Sequence, residues 1–571
     1  MINETRKQKY EVLRAALEQD RSSFITHWRD LADYILPRRL QLNTSDTNRG
    51  EKRNQKIINA TATLAARTLR AGMMGGITSP ARPWFRLSTP DPDLAEFGPV
   101  KDWLHTVSQR MTTIFLKSNL YNALPVGYGD LGAFGTAAIG LEEDFDSTIR
   151  LYPFPIGSYA LATNDKLQVD VFFREFRYTV RQLVNKFGQY DGKSGSPKWD
   201  VFSSRVKQAY DDGRYNDPID VCHIIQQNPE YNPNSLTSKR YSSVYYEKGQ
   251  GADKSVEDKF LRDAGYDYFP ILAPRWEVTG EDVYGTECPG MTALGDVKAL
   301  QLLEKRKAQA IEKHVNPPMT GPASLRGQKA SILPGDMTYS DEREGMKGFR
   351  PVHEVRPEIN GIVMDIQEKE KRIQRCFYED LFLMLAYTDR RQITAREVEE
   401  RHEEKLLALG PVLEQLNQDL LDPLIDMTFD IMNRQGLIPE PPEELQGVQL
   451  KVEYVSVMHQ AQKLAGLAGI ERFTSYVGQL ATVNPEIIDK VDMDQAVDEY
   501  GNITGVPPRI IRPDEAVAEI RAQRAQAQQA QQQSIAMAEG AKAAKDLSGA
   551  SLEGNNALTE MLKMAQAGQM N

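Results

Sequence analysis

The chain has 571 residues, too many for one hydrophobic core, so several domains or subdomains are expected. Hydrophobic residues make up 40% and charged residues 26%, an ordinary soluble composition. With 80 Asp and Glu against 69 Lys and Arg the net charge is −11. That argues against a protein that coats nucleic acid with surplus basic side chains and leaves only local basic sites for such contact.

The N-terminus, MINETRKQKYEVLRAALEQD, is polar and has no apolar stretch of the signal-peptide kind, so no secretory signal is expected. No apolar run is long enough to span a bilayer. Residues 1–36 read as helix and end at Pro37, and a polar loop follows. Lys56–Met74 carries Ile57, Ala60, Leu64, Ala65 and Thr68 at helical spacing and stops at Gly75-Gly76. Trp84 and Phe85, after a Pro-punctuated turn, read as core anchors. A further helix covers about 97–118. From about 148 to 285 the texture changes to short β-like runs broken by Gly, Pro and Asn.

Beyond Cys288 the pattern is helical again. GDVKALQLLEKRKAQAIEKHV predicts one helix of about 20 residues, roughly 30 Å long, stopped by Pro317-Pro318. Residues 316–356 are broken by Pro, Gly and Asp. Arg356–Leu385 predicts a second long helix, and the loop AYTDRRQ follows it. A capping box, Thr394 to Glu397, then restarts a helix, which runs to Gly410-Pro411, and another reaches Gly436. No aromatic residue occurs after Gly501. The Ala- and Gln-rich segment there has strong helix propensity and little to bury, so it is either a frayed tail or a helix that needs neighbours of its own kind.

Motifs for chemistry are weak. GYGDLG, Gly127 to Gly132, fits the dinucleotide-binding string but follows no predicted strand and sits in no βαβ unit. A close helix contact that only small residues allow is the better reading. Near Gly249, Lys254-Ser255 lacks the Gly that a phosphate loop places before its Lys. His402 in HEEKL lacks the second His of a zinc-protease helix, and DMDQAVDEYG has too few aligned oxygens for a calcium loop. Cys222, Cys288 and Cys376 are odd in number and far apart, which suits a reducing compartment without disulfide framework or zinc site.

The two long helices are amphipathic. On the first, Leu294, Val297, Leu300, Leu303, Ala308 and Ile311 share an apolar face, and Lys298, Lys305, Arg306, Gln309 and Lys313 gather opposite. On the second, Ile359, Ile362, Val363, Ile366, Ile373, Phe377 and Leu381 form the stripe. Asp365, Glu368, Arg372, Arg375 and Glu379 lie on its other side. Two such helices flanking a 40-residue module suggest a rod-like stem carrying a head.

Four stretches, KIINATATLAARTLRAGMMGGITSPARPWFRL, YGDLGAFGTAAIGLEED, VYGTECPGMTALGDVKALQLLEK and ITAREVEERHEEKLLALGPVLEQLNQDLLDPLIDMTFDIM, occur in this order between about residues 25 and 435. Taken together they resemble the portal, or head-to-tail connector, proteins of short-tailed double-stranded DNA bacteriophages. GMMGGITSPARPWF and LGPVLEQL are the most specific pieces. The resemblance implies an α+β, mainly α-helical portal fold and a ring, a dodecamer, at one capsid vertex. By that likeness residues 1–289 are wing, 290–314 the first stem helix and 315–356 the clip. Residues 357–385 are then the second stem helix, 386–393 the tunnel loop, 394–500 wing and crown helices, and 501–571 a C-terminal helical barrel or tail.

What the resemblance implies functionally is a channel through which double-stranded DNA is packaged and ejected, by a chain that is no enzyme and needs no cofactor or metal. Expected partners are further copies of itself, DNA held weakly and without sequence preference, and the terminase large subunit, which supplies the packaging ATPase. Tail adaptor, major capsid and scaffolding proteins complete the set, with no membrane. The virion, and the host cytoplasm during assembly, are the expected locations. Channel candidates are Lys298, Lys305, Arg306, Lys313, Arg372, Arg375, Arg390 and Arg391. Clip candidates for partner contacts are Arg326, Lys329, Arg343, Lys347 and Arg350. Ring symmetry multiplies every charge, so a repulsive wall with sparse basic belts centres a sliding duplex without gripping it. The basic face of 298–313 has three readings at this point: the DNA path, an acidic patch on the next copy around Glu368, or plain solvent. Two alternative functions stand beside the portal. One is a nucleic-acid-processing enzyme with a degenerate nucleotide site, and the other is a capsid scaffold or ejection protein.

Overall fold

The structure, a computed structural model, describes residues 6–548. Left out are 45–49, 92–93, 96, 190–196, 236–237, 249–258, 322, 327–329, 332–335, 340–348, 353–358, 388–408, 446, 448–449, 456–472, 482–483, 485–486, 488–489, 505–511 and 513. It is mixed α/β and about half helical, in keeping with the expected class, and among the described residues one chain forms no barrel. Two units divide it. The first comprises 1–88, 104–440 and 450–491, and the second 89–103, 441–449 and 492–571.

In the first unit α1 (Arg6–Tyr34) leads to α2 (Thr61–Gly76), β1 (Phe85–Ser88), α3 (Gly98–Lys117, which belongs here from Leu104) and α4 (Leu120–Phe134). Then come β2 (Ile139–Asp144), β3 (Thr148–Pro153), β4 (Tyr159–Thr163), β5 (Val169–Thr179), α5 (Val180–Phe187) and α6 (Ser204–Asp211). They are followed by β6 (Pro218–Gln227), β7 (Tyr241–Glu247), β8 (Arg262–Tyr266) and β9 (Ile271–Leu272). The long helix α7 (Pro289–Val315) precedes β10 (Met319–Thr320), β11 (Arg350–Pro351), α8 (Ile359–Cys376) and α9 (Glu379–Tyr387). After the segment left out come α10 (Gly410–Leu416), a π-turn Asn417–Leu421, α11 (Asp422–Arg434) and β12 (Lys451–Tyr454).

Strands β4-β5-β6-β7-β8 form an antiparallel meander, and β3-β2-β9 a second, smaller sheet. The expected β region is therefore real and starts earlier, at Ile139. Because strand side chains alternate faces, one face of the meander offers Phe173, Cys222, Ile224, Val244 and Tyr246, which Tyr10 and Leu17 of α1 cover. The other offers Val221 and Tyr245 to Leu183, Phe187 and Val206 of α5 and α6. Arg21 of α1 is buried and donates to the carbonyls of Gly157 (2.7 Å) and Tyr159 (2.8 Å), fixing the helix on the loop before β4. Trp84 and Phe85 are buried as expected, and β1 pairs antiparallel with β12.

Two boundaries depart from the sequence expectation. α2 begins at Thr61, five residues late: before it Gln301 Oε1 accepts from the amides of Ile58 (2.7 Å) and Asn59 (2.8 Å), and Asn59 Oδ1 accepts from the amide of Thr61 (2.9 Å). The second long helix is not continuous. Tyr378 adopts a left-handed backbone with φ of 54°, dividing it into α8 and α9. On its two sides Phe377 and Phe382 are buried, and packing overrides helix continuity there.

The second unit contains α12 (Met493–Thr504) and α13 (Asp514–Ser548). Asp492 accepts from the amides of Asp494 and Gln495, both at 3.1 Å, so the acidic string there caps α12. Arg521 makes a two-pronged pair with Asp494, at 2.6 and 2.7 Å. The Ala/Gln-rich stretch is thus helical up to Ser548.

Candidate functional site

The functional candidates converge on the pair α7 and α8. α7 starts firmly, with Cys288 Sγ accepting from the amide of Met291 at 3.4 Å and Pro289 in the first turn. A Cβ on Gly290 would lie 2.3 Å from the carbonyl oxygen of Ala133, so only glycine lets the helix start against the end of α4. Ala293, Val297, Leu300 and Gln301 are buried, whereas no residue from Leu302 to Val315 is. The proximal half of α7 belongs to the body and the distal half leaves it.

α8 runs back antiparallel to α7. Lys369 Nζ reaches Asp296 Oδ1 at 3.4 Å, and Asn59 Nδ2 donates to both Glu304 (3.2 Å) and Glu370 (2.8 Å). At the far end β10 pairs with β11, Met319 opposite Pro351 and Thr320 opposite Arg350. Burial alone would raise Glu304, but hydrogen bonds from Lys307 and Asn59 hold its carboxyl below the usual range. These contacts make a two-helix ribbon with one end in the body and a short hairpin at the other.

The charged candidates separate on this ribbon. Lys298 does not extend outward: its ammonium pairs with Asp30 of α1 at 2.7 Å and lies 5.7 Å from the ring centre of Tyr34. Lys305, Arg306 and Lys313 are exposed and have no ion pair among the described residues. Arg372 pairs with Glu368 one turn away, and Arg375 is exposed. Arg326 and Arg350, on the hairpin module, are exposed as well. Arg390, Arg391, Lys329, Arg343 and Lys347 lie outside the described residues. The expected apolar stripe holds on α8, where Ile366, Ile373, Phe377 and Leu381 are buried. On α7 it fails distally, since Ile311 is 41% exposed: its side of the helix runs past the end of the body.

Gly127, Gly129 and Gly132 lie in α4, where a Cβ on Gly132 would meet Leu69 Cδ2 at 2.2 Å and one on Gly127 would meet Ile139 Cδ1 at 2.7 Å. This is the close packing read from the sequence. Lys254-Ser255, His402 and the capping box at Thr394 lie outside the described residues. Among the described residues no group of His, Cys, Asp or Glu could hold a metal ion, and no helix is long and apolar enough to cross a membrane. Burial pushes the thiols of Cys222 and Cys288 up to about 12, which removes them as nucleophiles.

Sequence reading missed three polar anchors. Asn59 bridges both helices of the ribbon, and its only signal was an Asn ahead of a helix. Arg39 pairs with the buried Asp130 inside the glycine-rich string. Arg275 pairs with Asp419 on the π-turn at 3.0 Å.

The model of the family described as "Bacteriophage head to tail connecting protein" matches residues 7–511. The portal protein of Salmonella phage epsilon15 is 48% identical over 569 residues, covering 99% of this chain and 100% of that protein. The probable portal protein of Bordetella phage BPP-1 is 42% identical over 549 residues, covering 96% of each. The chain belongs to the bacteriophage head-to-tail connecting, or portal, protein family.

Proposed function

We propose that this chain is the portal of its phage: a ring of identical copies at one capsid vertex, through which double-stranded DNA enters and leaves. The observation that carries the reading is the ribbon of α7 and α8, rooted in the body by Val297 and Leu300 yet uncovered from Leu302 outward. A single chain gains nothing from an uncovered rod, because an isolated helix pair has little apolar area to bury. Side by side around an axis, such rods make a wall. In this reading the ribbon is the stem, 315–356 the clip, 386–393 the tunnel loop, and the helices beyond Met493 the crown or barrel. Arg390 and Arg391 would then set sparse positive belts in an otherwise acidic bore, holding phosphates weakly and reading no bases.

The chain is read as a structural connector rather than a catalyst. The packaging ATPase would dock on it as a separate protein, and tail adaptor proteins would later take the clip, where Arg326 and Arg350 are exposed. The direct test is electron microscopy of capsids assembled with and without the chain. One annulus at a single vertex, and DNA-filled heads only when the chain is present, is the expected result. Many copies spread over the shell, or loss of the chain from mature particles, would instead favour a scaffold or ejection protein.

A further inference from the structure

The distal charges of the ribbon are divided between its two edges. On α7, Leu302, Lys305, Arg306 and Lys313 fall on one face, and this face points away from α8, which instead meets Asp296 and Glu304. The α8 face turned away from buried Ile366 and Ile373 carries Met364, Asp365 and Glu368 distally and the exposed Lys371, Arg372 and Arg375 nearer the body. One edge is therefore basic and the other acidic at its distal end. Each also exposes an apolar side chain, Leu302 at 48% and Met364 at 71%.

These charges lie along the same stretch of the ribbon. The bridges from Asp296 to Lys369 and, through Asn59, from Glu304 to Glu370 bracket the register of the two helices. Arg306 lies level with the part of α8 between Ile359 and Glu368, centred on Met364 and its neighbours. Rotation about a ring axis keeps every copy at the same height. A closed ring joins one face of each copy to a different face of the next, and this ribbon offers two different edges of opposite charge at one level.

Resting on the ring reading above, we propose that the basic edge of α7 seats on the acidic edge of α8 in the adjacent copy, with Arg306 and Lys305 on Asp365 and Glu368. The same α7 face already behaves so within the chain. Two turns nearer the body than Lys305, Lys298 pairs with Asp30 of α1, whereas Lys305, Arg306 and Lys313 have no ion pair among the described residues. Lys305 and Arg306 are then ring-closing residues, spent between copies rather than on the duplex. Glu368, shared in one chain with Arg372, would bridge two cations.

Cysteine cross-linking tests this. In Arg306→Cys/Asp365→Cys, oxidation should give a ladder of covalent oligomers on a non-reducing gel, ending at the size of the ring. Each single variant should give none. Cross-links that stay within one chain, or a ring without the ladder, would overturn the seam and leave the ring reading standing. A wild-type chain that never assembles would overturn both. Should the cysteine pair perturb folding, charge reversal decides: Arg306→Glu should weaken ring association about tenfold, and adding Asp365→Arg should restore it. Equal weakening without restoration would refute the pairing.

Discussion

Replacing Asp419 by Ala should be among the most damaging single changes in the first unit. Asp419 sits on the π-turn Asn417–Leu421, and its oxygens accept from Arg275 Nε at 3.0 Å and Nη2 at 3.3 Å. Arg275 is 3% exposed and also donates to the carbonyl of Leu167 at 2.9 Å, while its Nη1 is buried without a partner. Asp419 is therefore the charge that makes this guanidinium tolerable inside the body. Removing one partner of a buried pair leaves an uncompensated charge and costs about 3–5 kcal/mol. Unfolding entropy grows with chain length, so in a unit this large roughly 1 °C is lost per kcal/mol. The expected drop in Tm by circular dichroism is about 3–5 °C. The apolar pair Arg275→Met/Asp419→Leu removes both charges and should regain most of that loss, because the cost lies in the orphaned cation. A single variant that melts within 1 °C of wild type, or a double variant as weak as the single, would refute the reasoning.

Four further outcomes follow from the same structure. Iodoacetamide at pH 8 should label the half-buried Cys376 first and reach Cys222 and Cys288 only after denaturation, as peptide mass spectrometry would show. Burial, with Arg174 adding to it, holds His223 well below the usual imidazole range, so the folded chain keeps it neutral. The unfolded chain takes up that proton as pH falls through about 6.5, so stability is lost below that pH. His223→Gln, whose amide can still face Ser243, should therefore lose about 1 kcal/mol less than wild type between pH 7 and 5.5 in urea melts. Arg390→Glu/Arg391→Glu should leave ring assembly intact and lower DNA packaging or retention, and rings that fail to form would make that loop an assembly element. Ending the chain after Arg512 should leave a soluble ring by gel filtration, whereas a monomer would show that the C-terminal helices hold the copies together.

Much of the architecture was legible because it is written in local pattern. The start of α7 at Cys288-Pro289, its stop before Pro317-Pro318 and the apolar spacing of α8 are all sequence signals. Small residues in GYGDLG announced a close helix contact, and the structure supplies its partners in Leu69 and Ile139. What stayed hidden depends on distant residues. Nothing in RCFYEDL marks the left-handed Tyr378, since the segment has no Gly or Pro to break it and no local trace of the packing that buries Phe377. The wheel placed Ile311 inward because periodicity reports a face and not how far the body extends beneath it. Lys298 looked like its neighbours Lys305 and Arg306 until α1 brought Asp30 to it.

The central claim is that copies of this chain close around a hole. Native mass spectrometry of the purified chain, with negative-stain images of the same sample, tests it most directly. One dominant species at a whole multiple of the 64.4 kDa chain mass, a dodecamer, seen end-on as an annulus with a stained centre, is the expected result. A monomer or a compact, hole-free oligomer at high concentration would contradict it.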